Sequence, residues 1–126
     1  MRAVTTFVTL FALGTPAVRA SSVTDCVQPA THTADRMAEC LHGVGTEAEA
    51  RLNATYARVL AALDPESGRL LREAQRHWVA FREAEVRAQA GPWRSSRNLA
   101  RRIDATVAII AAVDEREREL RLYLPD

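Results

Sequence analysis

Apolar residues recur every three or four positions from Met37 to Leu63: Met37, Leu41, Val44, Ala48, Leu52, Tyr56, Val59 or Leu60, and Leu63. That step keeps one face of a single helix in phase, and the spacing predicts a helix over about 34–63. Thr33 or Asp35 can cap its start. Gly43 and Gly45 lower its helix propensity, and Thr46 with Glu49 could form a capping box that opens a second helix there. The kept phase favours one long helix. Asp64-Pro65 then punctuates the chain, with Asp64 as N-cap and Pro65 at the first helical position. A second helix follows over about 65–90, with Leu70, Leu71, Ala74, Trp78, Phe81 and Ala88 turned inward, and Ala90-Gly91-Pro92 ends it. Ser95 or Ser96 can start a third, over about 95–123, with a seam of Leu99, Ile103, Thr106, Ile110, Val113, Leu120 and Leu124. Glu117 is the polar exception on that seam. No alternating strand pattern, repeat or low-complexity tract interrupts the picture. The fold class expected is all-α: an elongated three-helix up-down-up antiparallel bundle, with Tyr56, Trp78 and Phe81 as the bulky core pieces. At about 1.5 Å per residue such helices reach roughly 40 Å.

The first twenty residues fall outside this pattern. Arg2 is a positive start, Ala3 to Leu13 is apolar, Gly14 and Pro16 break the run, and Val18-Arg19-Ala20 precede a cut before Ser21. Residues 1–20 read as a signal peptide and 21–126 as one domain in the periplasm or outside the cell. The apolar run is shorter than the roughly 20 residues that a spanning helix needs, so no membrane insertion of the mature chain is expected. Thr24 and Asp25 before Cys26 do not resemble a lipidation site.

Loss of Arg2 and Arg19 takes the basic count from 17 to 15 against 16 acids, a net charge of −1. Neither nucleic acid nor an anionic membrane is an expected partner of so balanced a chain. Every basic residue is arginine, and acids and arginines interleave as on solvated helix faces. Two cysteines, Cys26 and Cys40, are an even count in an exported chain and imply a disulfide. It would tie the extended lead-in over 21–33 to the first helix, and a closed loop of roughly 15 residues is worth about 3 kcal/mol.

Catalytic chemistry is hard to find. His32, His42 and His77 lack the spacing of a metal site, and no nucleophile elbow, phosphate loop or Cys-His pair is visible. Glu83 and Glu85 beside Arg82 and Arg87 read as solvated charge pairs rather than as a carboxylate dyad. Asn53-Ala54-Thr55 has the form of a glycosylation sequon. No enzyme activity, cofactor or metal is expected.

One stretch is more distinctive. Gln75, Trp78, Phe81, Arg82 and Glu85 share much of one helix face, and three of them are polar. Joined to Leu52-Asn53-x-x-Tyr56, they read L-N-x-x-Y and A-Q-x-x-W-x-x-F-R-x-x-E. Asp25-Cys26 and Met37-x-x-Cys40 precede them, and Arg116-x-x-Glu119-Leu120 follows. This set resembles the LprI-like lysozyme-inhibitor family of small exported bacterial proteins, over about Asp25 to Leu124. The resemblance implies an all-helical periplasmic domain without cofactor or catalysis, whose partner is lysozyme or another periplasmic protein. The family usually has a third cysteine where this chain has Val86 and a fourth near Ala108, so both are missing together, which supports pairing of Cys26 with Cys40.

The motif's polar residues suit an internal brace. Asn53 and Gln75 are amides able to bond each other or a backbone carbonyl, and Arg82 could bridge to Glu119 or Glu117 on the last helix. Tyr56 and Trp78 would pack with their polar tips partnered. For partner binding, the loop Gly91 to Arg97 is the candidate. Trp93 and Arg94, followed by Ser95, are residue types that anchor interfaces, while the plainer reading is a connector whose Trp93 covers the bundle end. Two functions follow: inhibition of a cell-wall hydrolase such as lysozyme, or an envelope structural and interaction module without inhibition.

Overall fold

The computed structural model describes residues 22–89, 91 and 98–124. Among them the chain is all-helical, with α1 (Val23–Cys26), α2 (Ala34–Ala62), α3 (Pro65–Gln89) and α4 (Leu99–Arg121). Residues 1–20, where a signal peptide is expected, the candidate loop residues Trp93, Arg94 and Ser95, and Ser96 lie outside the described residues.

The lead-in differs from the extended segment expected. It opens with one helical turn, because Ser22 and Asp25 close a reciprocal capping box around it. The Cys26–Cys40 disulfide, with Cα atoms 5.4 Å apart, fixes that turn to α2. His32 Nδ1 lies 3.0 Å from the Cys26 carbonyl, which closes the path between the two cysteines.

Thr33 caps α2, its hydroxyl accepting from the Arg36 amide at 3.3 Å. The helix then runs unbroken for 29 residues. Thr46 does not start a new helix; its hydroxyl donates to the His42 carbonyl at 2.9 Å, inside the existing one. Asp64 accepts from the amides of Glu66 and Ser67 at 3.0 and 2.9 Å and from the Ser67 hydroxyl at 2.6 Å. The Ser67 hydroxyl bond is the main cause that holds the Asp64 carboxyl below its ordinary range. The start of α4 is Leu99, where Asn98 accepts from the Arg101 amide at 3.3 Å.

The core sits between α2 and α4, closed at one end by α1. Its buried apolar residues are Cys26, Met37, Leu41, Val44, Ala48, Leu52, Val59, Leu71, Ile110, Val113 and Leu120. Leu71 alone comes from α3. Cross-seam neighbours step along α2 and α4 in the same sense: Gly45 with Ile110, Arg51 with Asp114, Thr55 with Glu117.

The inward face of α3 is only in part the one the apolar pattern predicts: Leu71 and Trp78 face inward, and the other predicted residues do not. Gly68 and Leu71 are buried, and Gln75, Trp78 and Arg82 are half-buried, at steps of three and four. Leu70 and Phe81 lie about 100° round the helix from this row and are 52% and 63% exposed; Ala74 and Ala88 are exposed as well. Phe81 is therefore not a core residue. The reason is that α2 and α4 bury their apolar rows against each other, leaving α3 to meet them through a mixed polar row.

The exception on the α4 seam is explained by its partners. Glu117 is buried, accepts from the Thr55 hydroxyl at 2.6 Å and from Arg121 Nε at 2.7 Å, and so keeps its charge. The Arg121 bond is the main cause that lowers its pKa, with the Thr55 bond adding to it against the opposing effect of burial. A lowered folded-state pKa contributes stability above the ordinary carboxyl range, and that contribution is lost as pH falls through the folded value. Glu117→Gln should cost about 1–2 kcal/mol near neutral pH. The deficit should shrink as acid protonates the wild-type carboxyl, measured by urea unfolding at several pH values.

Gly43 makes a second test. It lies mid-helix without positive φ, and a Cβ there would meet nothing within 4 Å. Gly43→Ala should stabilise the domain by about 0.5–1 kcal/mol, read as a higher urea midpoint with unchanged slope.

Candidate functional site

The polar row of α3 builds a brace around Trp78. The Arg82 guanidinium lies 5.3 Å from the indole centroid and that of Arg116, from α4, 6.0 Å from it. Two cations on one ring repel each other, so each needs a carboxylate. Arg82 forms an ion pair with Glu49 of α2, and Arg116 bonds Glu119 at 2.8 Å. Gln75 joins the set by accepting from Arg116 Nε at 3.0 Å. These contacts link α3 to α4 and α3 to α2 through charge-assisted bonds and cation–π attraction.

The partners differ in part from those anticipated. Arg82 bridges to Glu49, not to Glu119 or Glu117, because Glu119 is held by Arg116 and Glu117 by Thr55 and Arg121. Gln75 serves Arg116, and Asn53 is exposed on α2. Leu52 and Leu120 are core residues. Tyr56 is half-buried and lines an open cleft with Arg72, Gln75 and Arg76. Glu85 is exposed.

Beside the brace, a groove of about 160 Å³ runs between α3 and α4. Trp78, Phe81 and Val86 line it from α3, and Ala108, Ile109 and Ala112 from α4. The alanines on α4 leave the space that larger side chains would fill, and Phe81 and Val86 (38% exposed) stand at its edge. Val86 and Ala108, the two positions where the resemblance leads one to expect cysteine, thus face the same groove.

Two features escaped the sequence reading. Thr55 is buried, and the steps Leu52-Thr55-Val59 carry the α2 seam better than Leu52-Tyr56-Val59. Between Val86 and Ile103 the chain has five arginines and no acid, so its +1 total leaves −4 for everything else (+1 less +5). Of these, Arg87, Arg101 and Arg102 are described and exposed. Simple charge counting along the chain would have found them.

Among the described residues no helix is long and apolar enough to cross a membrane, and no group of three or more His, Cys, Asp or Glu residues is placed to hold a metal ion. The family model described as lysozyme inhibitor LprI matches residues 25–120. The chain belongs to this family. The match spans the disulfide, the Trp78 brace and the α3–α4 groove, so the LprI family resemblance rests on more than the short motifs. No curated protein and no solved structure matches the chain.

Trp78 and Phe81 now separate, although both belong to the same motif. Trp78→Ala removes the ring that both guanidiniums share, and should cost about 2 kcal/mol, below the 3–5 kcal/mol of a fully buried Trp. Phe81→Ala should change stability by less than about 0.5 kcal/mol, as at other exposed positions. Thermal and urea unfolding of the two variants would check the contrast.

Proposed function

We propose that this is an exported, non-catalytic protein that binds and inhibits a lysozyme or another cell-wall hydrolase. The observation that carries the reading is the LprI family match over residues 25–120. The apolar, signal-like residues 1–20 support export to the periplasm or beyond, with cleavage near Ala20 and Ser21. The disulfide supports an oxidising compartment. The three long helices form an up-down-up bundle in this reading, supported by the common sense of the α2–α4 contacts and by the brace from α3.

An inhibitor of this kind must occupy a cleft lined by two carboxylates. The acid-free stretch from Val86 to Ile103 provides the opposite charge at the α3–α4 turn, and Trp93, Arg94 and Ser95 are its proposed contact residues. The Trp78–Arg82–Arg116 set acts as a brace that holds α3 in register, not as a ligand site, because both guanidiniums are engaged within the domain.

The direct test is a turbidity assay on bacterial cell walls with several lysozyme types. The purified mature protein should slow lysis at micromolar concentration. Unchanged lysis with every type would remove the inhibitor reading.

A further inference from the structure

The α3–α4 groove has the makings of an anchor pocket. Its lining is apolar at Phe81, Val86, Ala108, Ile109 and Ala112, and polar at Arg82, Glu85 and Gln89. Phe81 is a large ring left 63% exposed on a helix whose inward row is occupied by other residues. Within a domain, burying that ring would be favourable, at about 25 cal/mol per Å² of apolar area. The fold gives up that gain here. Exposed aromatic surface beside a pocket is the usual composition of an interface centre, and arginine is the usual charged companion.

The charge around the groove says what kind of partner fits. Arg87 follows Val86 directly on α3, and Arg101 and Arg102 lie about two turns before Ala108 on α4. All three are exposed, and none forms an ion pair among the described residues. By contrast Arg51, Arg69, Arg82, Arg116, Arg118 and Arg121 each hold a carboxylate. Arg36, Arg58, Arg72 and Arg76 are exposed and outside these ion pairs too, but they lie on α2 and the first half of α3, whereas Arg87, Arg101 and Arg102 belong to the acid-free stretch beside the groove. A volume of about 160 Å³ takes one bulky side chain, not a small-molecule ligand of ordinary size.

We propose that the α3–α4 groove seats an apolar side chain from the rim of an acidic glycan-binding cleft, while Arg87, Arg101 and Arg102 face that cleft's carboxylates. The inference rests on the inhibitor reading and adds the surface through which inhibition works. Phe81 is then a binding residue, and the Trp78 brace keeps the groove open by fixing α3 against α4.

The experiment measures binding and inhibition together, with a lysozyme that the wild-type mature protein inhibits. Phe81→Ala should weaken both by about tenfold or more while leaving the melting temperature in place. The triple change R87E/R101E/R102E should weaken binding by a similar factor and remove its sensitivity to salt. If the wild type binds and both variants bind equally well, the groove proposal is overturned and the inhibitor reading stands. If the wild type neither binds nor inhibits any lysozyme, the reading itself fails and the groove proposal falls with it. Two controls address other occupants. Sedimentation showing a wild-type dimer that Phe81→Ala dissociates would overturn the proposal in favour of a second copy of this chain. Co-sedimentation with phosphatidylglycerol vesicles, lost in the triple variant, would overturn it in favour of a lipid surface.

Discussion

Along the seam between α2 and α4, Leu41, Ala48, Leu52 and Val59 bury themselves with Ile110, Val113 and Leu120, and the remaining parts of the domain are attached to that seam. The disulfide ties α1 to one end of it. Glu117 would be costly there as an isolated charge. It is tolerated because Arg121, one turn along α4, and the Thr55 hydroxyl of α2 both bond one oxygen, and the Thr55 bond depends on the register of the two helices. A slip of either helix would remove the Thr55 bond and leave the buried carboxylate with Arg121 alone. Apolar area holds α2 and α4 together, and Glu117 selects how they align.

Because the seam satisfies most of the apolar surface, α3 has little left to bury. It contributes Leu71 to the core and otherwise attaches by bonds of mixed character through Gln75, Trp78 and Arg82. This attachment sets α3 at a definite angle to α4 without filling the space between them. The groove beside Phe81 is a direct consequence, since Ala108 and Ala112 are too small to close it. Packed and exposed positions are thereby divided within one short motif: Trp78 faces the brace and Phe81 faces outward.

Much of the helical architecture was legible in the residue pattern. The steps from Met37 to Leu63 outweighed Gly43 and Gly45, and the continuous α2 follows from that kept phase. Asp64-Pro65 marked the turn because capping chemistry is local. The polar exception at Glu117 was visible too, although its partners were not. Cap, phase and proline signals act within a few residues, so a sequence carries them openly.

What could not be read locally was which side of α3 would face inward. Its apolar residues pointed to Leu70, Leu71, Ala74, Trp78, Phe81 and Ala88; the observed row keeps Leu71 and Trp78 but continues through Gln75 and Arg82 instead of the others. That choice depends on Glu49, Arg116 and Glu119, which lie on other helices and become neighbours only after packing. Arg82 likewise chose Glu49 because its nearer-seeming partners were already engaged. The residue pattern alone placed the three long helices, though not the turn of α1, and gave the number of cysteines available to pair and the family pattern. Tertiary structure alone decided that Phe81 stands exposed at a groove, because competition among distant charges, not local apolar periodicity, sets the rotation of α3.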